Sequence, residues 1–216
     1  NTGILQARTV QEQDGKIILL GGMAAGTTNV AGTLDASAPS GGNEGFIETS
    51  AYSVKVDDSA SITTASTQGT QGQWLIDPND FYIATSGGNI TGSTLGAQLA
   101  TNNVTIETTA AGSGGLGDVF VNDAVSWTSN KTLTLSAYRD INITKAITGN
   151  SGGLTLTAGG AITSTAAGTL TSTGAAGADV GNISLTASGN VNLLGAITAN
   201  GGNATSVGRN AGTVAI

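Results

Sequence analysis

The sequence predicts an all-β protein folded as a parallel β-helix, a solenoid of about eight three-sided coils of ~23 residues. Three observations support this fold class. The composition favours short strands and tight turns, one segment recurs about fifty residues further along the chain, and apolar residues followed by small polar ones return at a regular interval.

The composition is that of a turn-rich β protein. The 216 residues include 34 glycines, only 4% aromatic and only 10% charged residues, and many Thr, Ser, Ala and Asn. Gly, Thr, Ser and Asn are poor residues for helix interiors. The hydrophobic fraction of 38% is spread along the chain and is sufficient for a core. Many short strands joined by tight turns are therefore expected.

The clearest repeat relates Leu133–Asn150 to Ile183–Asn200, which are identical at seven of 18 aligned positions. A third copy begins at Leu154 with "LTLTAGGAITSTAAGTLTST". In the first copy the apolar residues form three short alternating groups, which indicates three strands of 3–5 residues. No space remains for a crossover helix, so coils that stack at the interstrand spacing of ~4.8 Å are the remaining interpretation.

An apolar marker residue precedes each short Thr/Ser/Ala/Asn/Gly stretch, at intervals of 20 to 28 residues. We expect these markers to stack in one buried column, one for each coil. They are Leu34, Ile62, Ile83, Ile106, Trp127, Ile147, Leu170 and Ile197.

The repeat predicts a single shaft segment over residues 1–216, cut from a longer chain. Residues 1–14 would form a partial first coil, and residues 210–216 would begin a further coil. Each coil leaves backbone groups for the next one, so the expected partners are neighbouring coils of the same protein or head-to-tail copies.

Charge and residue types exclude several classes of function. The net charge is −7, the pI is about 4.2, and the seven Lys and Arg are dispersed, so nucleic acid is not an expected partner. No apolar run approaches the roughly 20 residues of a membrane-spanning helix, so membrane insertion is not expected. The chain has no His and no Cys, which excludes Ser-His-Asp triads, Cys-His pairs and ordinary zinc sites. We expect a non-enzymatic protein without a cofactor.

Three segments resemble a known family. They are "TVQEQDGKIILLGG" (Thr9–Gly22), "VAGTLDASAPSGGNEGFIET" (Val30–Thr49) and "GQWLIDPNDFYI" (Gly72–Ile83). They resemble the filamentous-haemagglutinin-like large exoproteins of Gram-negative two-partner secretion systems, in the shaft just downstream of the secretion domain. The resemblance implies a right-handed β-helix, export through a dedicated outer-membrane pore, and a role in adhesion, contact-dependent toxin display or haem-carrier capture.

Acidic residues offer the first candidate site. Asp58, Asp80 and Asp123 precede their markers by three or four residues, so the predicted register places them in one column. Stacked carboxylates about 5 Å apart repel each other unless they are screened or metal-bound. The alternatives are solvated corner residues, which we favour, or a calcium or catalytic cluster.

Sugars offer two further candidates. Six Asn-x-Ser/Thr sequons are candidate glycosylation sites, although a chain this rich in Asn, Ser and Thr contains several by chance; they are Asn89, Asn103, Asn130, Asn142, Asn182 and Asn203. Trp74, Trp127, Tyr82 and Tyr138 could stack on sugar rings. Trp127 is expected in the core, and Tyr138, beside Arg139 at a corner, is the expected exposed aromatic and a candidate glycan contact.

These observations lead to one preferred function and two alternatives. The preferred function is a non-catalytic adhesin or contact-system shaft, secreted or attached to the bacterial surface, whose repetitive faces contact host or bacterial glycans at many points. The first alternative is a structural subunit of an extracellular fibre assembled head to tail. The second is a polysaccharide-processing β-helix enzyme.

Overall fold

The computed structural model describes residues 1–8, 15–43, 45–67, 72–109, 114–203 and 209–216. The chain is a parallel β-helix that passes in turn through three faces, and the described strands pair in parallel. The elements are β1 (Ile4–Gln6), β2 (Lys16–Leu20), β3 (Thr27–Val30), β4 (Thr33–Asp35), β5 (Phe46–Ser50), β6 (Ser53–Val56), β7 (Ser61–Thr63), β8 (Gln73–Asp77), β9 (Phe81–Ile83), α1 (Gly92–Gln98), β10 (Asn103–Glu107), β11 (Val119–Val121), β12 (Val125–Trp127), β13 (Leu133–Ala137), β14 (Ile141–Ile143), β15 (Ile147–Asn150), β16 (Leu154–Ala158), β17 (Ile162–Ser164), β18 (Leu170–Thr173), β19 (Ile183–Ala187), β20 (Val191–Leu193), β21 (Ile197–Asn200) and β22 (Val214–Ala215).

The first face is a sheet of eight strands in the order β2-β5-β8-β10-β13-β16-β19-β22. Successive side chains of a strand point to opposite sides of a sheet, so alternate residues of each strand enter the core. One inward column consists of Ile47, Trp74, Val104, Leu133, Leu154 and Ile183, all of them buried. The Trp74 indole nitrogen donates to the buried Thr49 hydroxyl at 3.1 Å, so this large side chain leaves no unpaired donor.

The other two faces are each divided into two sheets. The second face consists of β3-β6 and of β9-β11-β14-β17-β20, and the third consists of β1-β4-β7 and of β12-β15-β18-β21. Both divisions fall where residues 84–102 leave the regular path between β9 and β10.

Small polar residues stack along the outside. Thr134, Thr155 and Ser184 are in register on the first face. On the second face Asn142 and Thr163 are paired, and the Thr163 hydroxyl donates to Asn142 Oδ1 at 3.0 Å. The recurrence of Thr, Ser and Asn in the sequence repeats follows from these ladders, because each coil places the same position above its predecessor.

The eight strands of the first face confirm the predicted number of coils, but the predicted period is too short. Leu133 pairs with Leu154, 21 residues later, whereas Ile183 pairs with Val214, 31 residues later. Over the seven steps from Ile17 to Val214 the average is about 28 residues. Coils differ in the length of their corner loops, which the strand ladder tolerates.

The predicted column of marker residues is wrong as a single register. Ile83 is in β9 on the second face and Ile106 is in β10 on the first. Trp127 lies opposite Gly149, two residues away from the Val125–Ile147 pair. Any strand end can be followed by small polar residues, so the pattern does not identify one face.

Part of the column is nevertheless correct. Leu34 pairs with Ile62, and Ile147, Leu170 and Ile197 form a continuous ladder; both groups are on the third face, on opposite sides of α1. All the markers are buried except Ile197, which is half-buried.

Candidate functional site

Residues 84–102 form an insertion that interrupts the stack on two faces. The segment follows β9, approaches β6 on the second face, and then forms α1 on the third face before β10 begins. On each face the strand edges on either side of the insertion need other hydrogen-bond partners, because unpaired N–H and C=O groups in a buried sheet are costly.

On the second face Asn89 supplies most of the missing hydrogen bonds, and Ile90 adds a bridge to Ile83 of β9, with its carbonyl accepting from the Ala84 N–H at 3.0 Å. Its main-chain nitrogen donates to the Tyr82 carbonyl at 2.7 Å, and its Oδ1 accepts from the Tyr82 N–H at 2.8 Å. On the other side its Nδ2 donates to the Val54 carbonyl at 2.6 Å, and its carbonyl accepts from the Val56 N–H at 2.8 Å. Asn89 thus occupies the place of a strand between β6 and β9.

Because Asn89 takes the place of a strand here, the outer surface of the second face has a slot between β6 and β9. Lys55 of β6 and Tyr82 of β9 alternate with buried neighbours and therefore point outward. Between them the Asn89 side chain lies within the ladder and is only 5% exposed, while Gly87 and Gly88 have no side chain. A cleft of about 270 Å³ results, lined by Tyr52, Ser53, Lys55, Asn79, Asp80, Tyr82, Gly87, Asn89 and Gly114.

The Tyr82 ring forms an aromatic wall of this cleft. It stacks on Phe120 of the next coil, with ring centroids 4.5 Å apart and planes 9° apart. Tyr82 and Phe120 are in register on neighbouring strands, so the two rings are stacked along the axis of the β-helix. Phe120 covers one face of the Tyr82 ring, and Tyr82 is 39% exposed, so its other face is available on the cleft side.

Charged groups of both signs surround the slot. Lys55 Nζ donates to the Gly88 and Gly87 carbonyl oxygens at 2.6 and 3.4 Å. Asp80 Oδ1 accepts from the backbone N–H groups of Leu116, Gly117 and Asp118 at 3.0, 2.9 and 2.9 Å, and Oδ2 takes part in none of these bonds. Burial, together with the carboxylates of Asp80 and Asp118, raises the pKa of Tyr82, so its phenol is neutral at physiological pH.

On the third face, α1 replaces a strand between β7 and β12. Gln98 accepts from the Ile62 N–H at 3.0 Å and donates to the Ala60 carbonyl at 2.9 Å. Asn102 accepts from the Thr64 N–H at 2.7 Å and donates to the Ile62 carbonyl at 2.9 Å. These two side-chain amides, four residues apart, pair with the β7 edge as a strand would.

The opposite side of α1 packs closely on β12. A Cβ atom at Gly92 would overlap the Ala124 carbonyl oxygen, and one at Gly96 would overlap the Ser126 carbonyl oxygen. Glycine at both positions therefore allows the helix backbone to contact the strand backbone directly.

The predicted column of Asp58, Asp80 and Asp123 is wrong. Asp58 and Asp123 follow the second face, at the corner that leads to the third face, whereas Asp80 lies before β9 at the preceding corner. Asp58 accepts from the Thr91 and Thr94 hydroxyls, and Asp123 Oδ2 accepts from the Gly92 N–H at 2.8 Å. Both carboxylates therefore hold the start of α1. Hydrogen bonds from Thr94 and Thr91 lower the pKa of Asp58.

The structure places a different acidic column at the Asp80 corner. Asp80, Asp118 and Asp140 each directly precede a strand of the second face, and each accepts from a backbone N–H of the next coil. Arg139 pairs with Asp118 and lies 3.4 Å from Asp140. The backbone N–H groups and the Arg139 guanidinium together compensate these carboxylates. Among the described residues, no three acidic side chains form a metal-binding group.

The aromatic predictions have mixed outcomes. Tyr138 is 64% exposed at its corner, as expected, but it does not line the cleft. Trp74 and Trp127 are core residues, and the Trp127 indole nitrogen donates to the Lys131 carbonyl at 2.9 Å. The slot was not predicted, although Gly87-Gly88-Asn89, which begins four residues after the end of β9, is a turn signal that marks the insertion.

The candidate glycosylation asparagines differ in accessibility. Asn89 is buried and its Nδ2, the atom that a glycan would modify, is bonded to Val54, so the folded chain does not present it. Asn103 Nδ2 donates to the Gly72 carbonyl at 3.2 Å. Asn142 points outward between two buried isoleucines, as predicted. The side chains of Asn130, Asn182 and Asn203 are exposed.

Comparison with family models, with curated proteins and with solved structures gives no match for this chain. The resemblance to filamentous-haemagglutinin-like exoproteins therefore stays a prediction. In the described part of the chain, no helix has the length and apolar character needed to cross a membrane.

Proposed function

We propose that this chain is a non-catalytic segment of an extracellular adhesin or contact-system shaft, from a Gram-negative exoprotein secreted through an outer-membrane pore. The β-helix supplies a rod, and its outer faces contact glycans of host or bacterial surfaces. The observation that carries the proposal is the aromatic cleft between Lys55 and Tyr82, a concave site built on paired strands.

The composition of the cleft favours binding over cleavage. Glycoside hydrolysis ordinarily uses two carboxyl groups about 5 to 9.5 Å apart on either side of the scissile bond. Among the described residues that line the cleft, Asp80 is the one acid, and its Oδ1 already accepts three backbone hydrogen bonds. This argues against the alternative of a polysaccharide-processing enzyme.

An array of immobilised neutral and acidic oligosaccharides, read for bound protein and then for newly formed reducing ends, tests this function. We expect binding to a subset of glycans without release of reducing ends. Release of reducing ends that depends on Asp80 would show an enzyme. Absence of binding to every glycan, with the protein folded, would contradict a role in glycan contact.

A further inference from the structure

We infer that the slot between Lys55 and Tyr82 binds a single neutral pyranose ring of a glycan, stacked on the free face of Tyr82. This inference rests on the proposed function and specifies the ligand of the same cleft. It follows from the width of the slot, from the aromatic stack that ends at it, and from the balance of charge around it.

The width of the slot corresponds to one ring. Asn89 occupies one strand position between β6 and β9, so the Lys55 and Tyr82 backbones are two interstrand spacings apart, about 9.6 Å. The Tyr82 and Phe120 rings, one strand position apart, are stacked at 4.5 Å. One additional ring above Asn89 would lie at a similar distance from Tyr82 and would contact the Lys55 side chain, whose ammonium reaches the Gly87 and Gly88 carbonyls.

The chemistry of the walls matches a pyranose. The apolar C–H face of a pyranose packs on an aromatic ring, while its hydroxyl groups extend from the edge and require donors and acceptors. The cleft has the Tyr82 ring as a platform, and Tyr52, Ser53, Asn79 and Asp80 supply polar groups around it. An aromatic side chain of a peptide would use the platform alone, because it has no hydroxyl groups around its edge to bond to these residues.

The charges favour a neutral sugar. Lys55 and Asp80 carry opposite charges on the two sides of the cleft, and two main-chain carbonyls already accept from the Lys55 ammonium. A uronic or sialic acid would bring a carboxylate close to Asp80, in a chain whose net charge is −7.

Saturation-transfer NMR on the whole chain, followed by titration, tests the inference. The probes are methyl pyranosides and short neutral oligosaccharides of glucose, galactose and mannose, with methyl glucuronide and phenylalanine amide as comparison ligands. We expect neutral sugars to bind through one ring. Tyr82→Ala should weaken that binding about tenfold or more, whereas Tyr82→Phe, which keeps the ring, should preserve it.

Two further variants guard against indirect effects. Ser53→Tyr adds a large side chain to the slot without changing Tyr82 and should also abolish binding. Tyr138→Ala removes an exposed aromatic outside the cleft and should leave binding unchanged. Circular dichroism checks that each variant is folded.

The outcomes separate the inference from the proposed function. Neutral glycans that bind equally well to wild type, Tyr82→Ala and Ser53→Tyr would overturn the slot and leave a glycan-binding shaft. Phenylalanine amide or methyl glucuronide binding in the slot, without any neutral sugar, would overturn the ligand class. Binding of no probe, together with a negative glycan array, would overturn both.

Discussion

Asn89 forms hydrogen bonds with both the amide nitrogen and the carbonyl oxygen of Tyr82, using its side chain for the first and its main chain for the second. The same residue also pairs with β6, through Val54 and Val56. Asn89 therefore links β6 to β9 where a strand is missing, and its side chain does not obstruct the surface. Both the integrity of the fold and the shape of the candidate site therefore depend on Asn89.

Asn89→Ala should destabilise the protein by about 2 to 4 kcal/mol. The Val54 carbonyl and the Tyr82 N–H would lose their partners inside the sheet, and the cost of leaving buried polar groups unpaired is large. Chemical denaturation measures the change. The matched control is Asn142→Ala on the same face, where Asn142 is half-exposed and should change stability by under about 1 kcal/mol. Equal effects of the two variants would contradict the role assigned to Asn89.

Gly96→Ala should destabilise by about 2 kcal/mol, although alanine is the better helix residue. The new methyl group would overlap the Ser126 carbonyl oxygen and force α1 away from β12. Ser93→Ala, at an exposed position of the same helix, is the control and should be neutral or slightly stabilising. Thermal denaturation of both variants gives the comparison, and a stabilised Gly96→Ala protein would show that the helix does not contact the strand closely.

Ile147→Asp should destabilise by about 4 kcal/mol or more, because it places an unpaired charge in the core column between Val125 and Leu170. Thr148→Asp, one residue later on the outward side, should be tolerated. Urea denaturation distinguishes the two. Similar stabilities of the two variants would contradict the assignment of Ile147 to the core side of the strand and Thr148 to the outer side.

Asp77→Asn should stabilise the protein at neutral pH. Burial, with the neighbouring carboxylates of Glu107 and Glu48, raises the pKa of Asp77 above its usual 3.8. The folded state then binds the proton more tightly than the unfolded state, so wild type loses stability as pH rises from 3.8 through the folded pKa. The asparagine variant lacks this loss.

The measurement is the difference in unfolding free energy between Asp77→Asn and wild type across this range. It should grow with pH and become constant above the folded pKa. Asp57→Asn is the control, because hydrogen bonds from Ser59 lower the pKa of Asp57 and the difference should have the opposite sign. A constant difference for Asp77→Asn would contradict the raised pKa.

The repeat in the sequence was sufficient to predict the architecture but not its register. Leu133 and Ile183 occur in equivalent segments, and the structure connects them in one column through Leu154. Ile83 and Ile106, in contrast, match the marker pattern because each precedes small polar residues, yet they lie on the second and first faces. Where side-chain amides replace the backbone hydrogen bonds of a strand, the sequence lacks the alternating apolar residues of a strand. The sequence pattern therefore does not indicate that α1 and Asn89 take the places of strands.

The candidate site was predictable only in its parts. The sequence predicts that Tyr82 is an aromatic able to stack on sugars and that Asp80 is a corner carboxylate, but the cleft that both residues line depends on the insertion. The acidic column of Asp80, Asp118 and Asp140 was missed because corner residues were aligned by their distance from the markers. Alignment to the strand that follows each of them would have revealed it.

The most direct test of the slot is a crystal structure of the chain soaked with the neutral pyranoside that binds best in solution. From the proposed slot we expect one sugar ring parallel to Tyr82, on the side opposite Phe120, with Lys55 beyond it and Asn89 bonded to both flanking strands. A sugar bound elsewhere, for example at Tyr138, or a side chain of Asn89 turned outward to fill the slot, would contradict it.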